Sequence, residues 1–358
     1  MSTDLSMARI ADWRYKINSE TLLKLLFLLA ALALMLIGLA LPLYTMLLKS
    51  LQNSSGEFIG LVNYQYYFST PALVNSILNS FFIAVLTTLL VVVLAFLCAY
   101  GITRTCMPGK KLFRTLTLLP ILAPSLLPAI SLVYIFGTQG YMKSLLGDTS
   151  IYGPVGIVIG MCFWIFPHAL MILITALSNS DARLYEAARA MKTSTFRTFM
   201  TVTLPGVRYG LMSCSFVVFT LAITDFGVPK VIGGQFSLLA TDIYKQVVGQ
   251  QNFQMGAVVS VILLLPAVFT FIADRWVQRK QTSQLSSRAV PYQPEPSPLR
   301  DWLFAGLCYT VAAVILLIIG TAVYASLIHF WPYNLSFTLN HYSFDGLGGT
   351  AGSPGLTR

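Results

Sequence analysis

The residue types best suited to chemistry gather in one polar stretch, Glu186 to Pro205, which lies between two long apolar runs. Glu186, Ala187 and Ala188 open it, and Leu204 and Pro205 close it. Arg189, Lys192 and Arg197 are interleaved with Phe196, Phe199 and Val202, which recur at three-residue spacing. A helix here would carry an apolar stripe beside a basic face. Such a helix docks into a groove of a partner or lies on a membrane surface. The plainer alternative is a solvated basic loop. A second set is Asp225, Gly227 and Lys230 in Thr224-Asp225-Phe226-Gly227-Val228-Pro229-Lys230. A carboxylate at the end of an apolar run, followed by Gly and Pro, reads as an unwound tip, and boundary carboxylates are candidates for a substrate path. An interfacial cap is the plainer reading. A third set is Pro120, Pro124 and Pro128, at four-residue spacing inside another apolar run. Each removes a backbone donor and would kink a helix. In lipid the freed carbonyls survive only where protein or a water-lined cavity covers them. That places the run inside a bundle, with Pro120 and Pro124 beside any path; simple helix curvature is the alternative.

Other chemistries find no support. No GxxxxGK[ST] phosphate loop occurs, since Gly109-Lys110-Lys111 lacks both the upstream glycine and the hydroxyl residue. ATP hydrolysis is therefore not expected of this chain. There is no nucleophile elbow, HExxH or paired-carboxylate pattern, and no catalytic residue or cofactor is assigned. Cys98, Cys106, Cys162, Cys214 and Cys308 form no CxxC pair, and most sit in apolar runs, where small buried hydrophobes are the natural reading. His168, His329 and His341 are too scattered for a metal site. The net charge of +10 raises nucleic acid as a partner, but no aromatic-basic RNA pattern or zinc-finger spacing accompanies it.

The elements that must position these residues are membrane spans. The 358-residue chain is 56% apolar and 10% charged, with a mean hydropathy of +0.73. Soluble domains carry about 25% charged residues, so an all-α, polytopic membrane bundle is expected. Seven spans are read, at about 22–48, 77–102, 112–136, 155–177, 210–223, 255–272 and 302–327. The first is too long for a signal-peptide core of about 7–15 residues, and reads as an uncleaved anchor. Alternate sides of these spans hold 18 and 5 of the 23 lysines and arginines. The positive-inside rule puts the N-terminus, the 186–205 stretch and residues 277–301 in the cytoplasm. The basic excess then reflects topology and needs no anionic ligand.

Residues 277–301, rich in Pro, Gln and Ser, read as a cytoplasmic linker. Beyond it, the seventh span is followed by Leu339-Asn340-His341-Tyr342, as the first is followed by Leu61-Val62-Asn63-Tyr64. The expectation is a cytoplasmic segment (1–20), a six-span module (21–276), the linker (277–301), and the first span and start of a second, truncated module (302–358). A separate chain supplying the second half is the alternative.

The 186–205 stretch resembles the EAA loop of permeases in binding-protein-dependent ABC importers. The pattern is Glu-Ala-Ala, three residues, Gly, nine residues, an aliphatic, one residue, Leu-Pro. Glu186, Ala187, Ala188, Val202, Leu204 and Pro205 match in register, while Lys192 stands at the glycine. Lys192 leads to the expectation of a more continuous helix, or of a turn at Thr193-Ser194 instead. The resemblance implies a coupling helix, within 180–208, that seats in a cleft of cytoplasmic ATPase subunits. It implies a periplasmic substrate-binding protein and a second permease module or chain as further partners, and the bacterial inner membrane as location. The two-module layout, TDFGVPK and WPYNLSFTLNHY are similar to permeases for 2-aminoethylphosphonate, and next to the double-length ferric-iron permeases. An ATPase-independent secondary transporter would leave the EAA register a coincidence.

Overall fold

The computed structural model describes residues 19–282, 290 and 292–342. Nearly all of the expected N-terminal segment, residues 283–289 of the linker and the chain from 343 lie outside the described residues.

The chain is helical almost throughout. α1 (Ser19–Met35) and α2 (Leu41–Ser50) form one apolar rod, joined by a π-helical turn, Leu36–Ala40. The turn falls just ahead of Pro42, whose ring crowds the carbonyl one turn back; widening the helix there relieves the clash without ending it. α3 (Val62–Ser69) leads into α4 (Pro71–Arg104), the longest helix at 34 residues. α5 (Lys110–Leu118) runs on through a 3₁₀ turn, Leu119–Leu122, and α6 (Leu126–Phe136) then departs at 101°. α7 (Pro154–Ser178), α8 (Ala182–Ala190), α9 (Thr195–Thr198) and α10 (Leu204–Thr224) follow. Beyond them come two short helices, α11 (Gly227–Ile232) and α12 (Leu239–Tyr244), and two long ones, α13 (Phe253–Thr282) and α14 (Pro298–Ser326). A hairpin of β1 (Ile328–Phe330) and β2 (Asn334–Phe337) follows, and a 3₁₀ turn, Asn340–Tyr342, ends the described chain.

Among the described residues six helices are long and apolar enough to cross a membrane, or seven if the bent α5–α6 pair is one span. The seven expected spans are recovered, and the third is corrected: it is broken, not kinked. Ala123, just before Pro124, is extended (φ −98°, ψ 139°), the backbone region that a following proline enforces. Pro128 instead sits in the first turn of α6, where its missing N–H costs nothing.

The core is built where α4, α7, α10 and α13 pack together. Ala84, Ala95 and Ala99 of α4 are fully buried, and such small side chains let helix backbones approach closely. α14 lies against α4, α5 and α6. α1 stays apart, with its apolar side chains from Leu22 to Leu34 exposed.

The ends of the α2 and α14 rods repeat a local design. Ser50 ends α2 and Ser326 ends α14. The next carbonyl in each, Leu51 or Leu327, accepts a backbone bond of 2.8 Å from Ile59 or Thr338. A β-bridge lies in between, Gln52 with Phe58 and Ile328 with Phe337. The Tyr64 phenol donates to Ser50 Oγ at 2.9 Å, and the Tyr342 and Ser326 hydroxyls share a hydrogen bond at 2.7 Å.

Candidate functional site

The 186–205 stretch is two helical pieces set at one end of the bundle. Asp181 caps α8, its carboxylate accepting from the Arg183 N–H at 3.1 Å. Ala182, Tyr185 and Ala188 turn inward and are buried, so Glu186 and Ala187 face outward and are exposed. The helix stops at Lys192, which takes φ +53°. The Thr193 N–H reaches back to the Ala188 carbonyl (3.1 Å) and the Lys192 N–H to that of Arg189 (2.8 Å). This is a Schellman stop with lysine in the left-handed position that usually takes glycine. Both expectations for this residue are corrected: the helix is not continuous, and the turn is made at Lys192 itself. Thr193 and Ser194 serve the turn instead. Thr193 Oγ1 donates to the Ala188 carbonyl at 2.8 Å, and Ser194 Oγ accepts from the Arg197 N–H at 3.3 Å to start α9.

From Thr195 the chain is helical without a break to Thr224, through a π turn at Phe199–Thr203. Pro205 follows that turn as Pro42 follows the turn in the first rod. The second half of the loop is thus one body with the span behind it. Val202 and Leu204 are half-buried and Pro205 is exposed. The Tyr185 hydroxyl donates to Thr203 Oγ1 at 3.1 Å and ties α8 to the base of that span.

The expected apolar stripe does not survive. Phe196 is 70% exposed, but Phe199 turns inward, 6.0 Å from the rings of both Phe96 and Tyr100. The residues that do present apolar surface are Leu184, Met191, Phe196 and Met200. Arg183, Lys192 and Arg197 stand exposed beside them. Leu184, Ala187 and Met191 recur at helical spacing, so this face, unlike one drawn through the phenylalanines, is the one the sequence marks.

The residues expected along a substrate path do not gather in one place. Asp225 and Gly227 meet the break before α6. Asp225 is buried, accepts from the Val228 N–H at 3.1 Å and bonds the Ser125 hydroxyl, so its carboxylate caps α11. Gly227 is pressed on the same residue: a Cβ there would overlap Ser125 Oγ and lie 3.1 Å from the Leu126 nitrogen. Pro120 is buried in the 3₁₀ turn, whereas Pro124 lines a cavity of about 570 Å³ shared with Tyr134, His329, Trp331 and His341. Lys230 is exposed, its ammonium 3.8 Å from the centre of the Tyr244 ring. Among the described residues no three His, Cys, Asp or Glu side chains gather in a way that would hold a metal ion.

The whole bundle, broken span and loop included, can be set beside solved structures. A solved structure of a bacterial alginate ABC transporter, in complex with an alginate pentasaccharide-bound periplasmic protein, matches with a TM-score of 0.61 at 16% identity, covering 77% of this chain and 99% of the matched one. The family model described as "Binding-protein-dependent transport system inner membrane component" matches residues 92–283, and the chain belongs to that family. A ferric transport system permease protein, FbpB, of Actinobacillus pleuropneumoniae is 25% identical over 286 residues, covering 75% of this chain and 40% of the relative. A probable sulfate transport system permease protein, cysT, of Nephroselmis olivacea is 25% identical over 250 residues, covering 68% and 86%. The chain spans about 40% of the length of the ferric relative and 44% of that of a second one from Haemophilus influenzae.

Proposed function

We propose that this chain is the membrane permease of an ATP-driven importer in a bacterial inner membrane, with its N-terminus in the cytoplasm. The observation that carries the proposal is the loop that begins at Glu186. Its buried face is bonded into the bundle, its outer face offers Leu184, Met191 and Phe196, and its second half is continuous with a span. An outer apolar patch on a fixed helix suits capture by a groove in a partner. Continuity with α10 suits transmission of a rigid-body stroke. Glu186, Ala187, Ala188, Lys192, Val202, Leu204 and Pro205 form or shape the contact with cytoplasmic ATPase subunits. ATP is hydrolysed there, and a periplasmic binding protein delivers the substrate to the opposite end. Asp225, Gly227, Pro120, Pro124 and Lys230 belong to the path between.

The second module begins after the linker. The matched serine, backbone bond, β-bridge and tyrosine at the ends of α2 and α14 support reading α14 as the counterpart of the first span.

For the substrate we favour 2-aminoethylphosphonate, on the likeness of the TDFGVPK and WPYNLSFTLNHY segments. Ferric iron is the second reading, favoured by the ferric permeases among the curated relatives. Uptake of labelled phosphonate and of ferric iron by cells expressing the complete transporter separates the two. The importer reading itself is tested by affinity purification from membranes. An ATPase subunit should come down with the unaltered chain and be lost with Glu186→Arg. Retention at full yield would remove the assigned role of the loop.

A further inference from the structure

The segment that precedes α14 does more than span a distance. Val290 is bonded to the start of α8: the Ala182 N–H donates to its carbonyl at 2.9 Å, and its own N–H donates to the Asp181 side-chain Oδ1 at 3.4 Å. The Tyr292 ring lies 4.6 Å from that of Tyr185, and the Tyr292 hydroxyl accepts from Arg189 at 3.3 Å. Glu295 forms an ion pair with Arg189. At its far end the segment is tied down again. Asp301, buried in the first turn of α14, accepts from the N–H groups of Ser297 (2.9 Å) and Cys106 (3.0 Å).

Arg104 makes these contacts one assembly. It is the last residue of α4 and only 4% exposed. Its guanidinium carbon lies 4.8 Å from the centre of the Tyr185 ring and 4.5 Å from that of Tyr292. Its Nη2 donates to the Leu177 carbonyl at 2.8 Å, at the C-terminal end of α7, where a helix favours positive charge. Burying a guanidinium is costly unless it is well met. Here one cation carried by α4 is met by the Leu177 carbonyl of α7, the Tyr185 ring of α8 and the Tyr292 ring, while its buried Nε has no hydrogen-bond partner. A second route runs through rings: Phe199 to Tyr100 at 6.0 Å, and Tyr100 to Phe304 of α14 at 5.4 Å.

We propose that residues 292–301 are a clamp that locks the coupling loop to α14, with Arg104, Tyr292 and Glu295 as its positioning residues. This rests on the importer reading given above. The clamp makes α8 and α14 move as one body, so the stroke received by one module's loop reaches the first span of the next directly.

The Arg189–Glu295 pair is largely exposed, and such pairs contribute little alone. Tyr292 is therefore the position to test. In the complete transporter reconstituted with its binding protein, Tyr292→Ala should leave ATPase co-purification intact. It should raise the ATP hydrolysed per substrate imported several-fold. Cys106 Sγ lies 3.3 Å from the Pro294 carbonyl, so Pro294→Cys offers a lock. Oxidation with copper–phenanthroline should join Cys106 to the thiol introduced at position 294, seen by peptide mass spectrometry. That disulfide should bring the Tyr292→Ala ratio back towards that of the unaltered protein. An unchanged ratio in Tyr292→Ala, or no disulfide between positions 106 and 294, would overturn the clamp. Failure of the unaltered chain to bind any ATPase would instead sink the importer reading, while the disulfide still reports on the clamp.

Discussion

Lys192 holds a φ of +53°, a region where the Cβ of an L-residue crowds the next carbonyl at about 1–2 kcal/mol. The Schellman bonds around it offset that strain, and its side chain is exposed and makes no demand of its own. Lys192→Gly should therefore raise the stability of the detergent-solubilised protein by roughly 1 kcal/mol, read as a higher midpoint of thermal unfolding. Lys192→Val, with a branched Cβ in the same region, should lower it by about 1–3 kcal/mol. The sequence told where the turn belongs but not which residue would make it, because the choice depends on bonds to Ala188 and Arg189 that only the folded loop displays. Arg104 was less visible still. In the sequence it is one of several charges expected on the cytoplasmic side. Nothing near it in the chain announces that Tyr185 and Tyr292 will close over it from 81 and 188 positions away.

At the scale of elements, the spans were legible because an apolar run of this length has few alternatives. Their ends were not. α13 continues to Thr282 and α10 is continuous back to Thr195, well past the apolar runs, since polar residues carry on a helix that leaves the membrane. The three prolines of the third span marked a disturbance. Whether they bend a helix or break it turned on Ala123, which adopts the extended backbone preferred before Pro124. That break lets α11 approach α6 so closely that Gly227 has no room for a methyl group. Gly227→Ala should cost about 1–3 kcal/mol of stability by overpacking. It should also slow substrate uptake while leaving ATPase capture unaffected, because the contact lies far along the chain from the loop. Uptake at the unaltered rate would detach this junction from the path.

The whole molecule is asymmetric in a way that the proposed second module would account for. α14 covers α4, α5 and α6, whereas the apolar stretch of α1 stays uncovered among the described residues. If α14 is the first span of a second module that rests on the first, the exposed α1 is the corresponding span of the first module, and its own surface is free for the second. In the sequence the proposed repeat rests on two Asn-(x)-Tyr segments past a span and on the linker between the modules. The structure adds the hydrogen bonds that make the two span ends alike. The bonds that the linker makes to α8 were not legible for a related reason: proline-rich composition describes a chain without regular structure, and says nothing of whether it is bonded to a neighbour.

Where the exposed apolar face of the loop points, and what it touches, decides whether it couples to an ATPase. The most direct measurement places a photo-crosslinking amino acid at Phe196 in the complete transporter, irradiated in intact cells. Attachment to a cytoplasmic ATPase subunit, reduced when Glu186→Arg is combined with it, is the predicted result. Attachment to lipid or to a periplasmic protein, with no ATPase product, would contradict it.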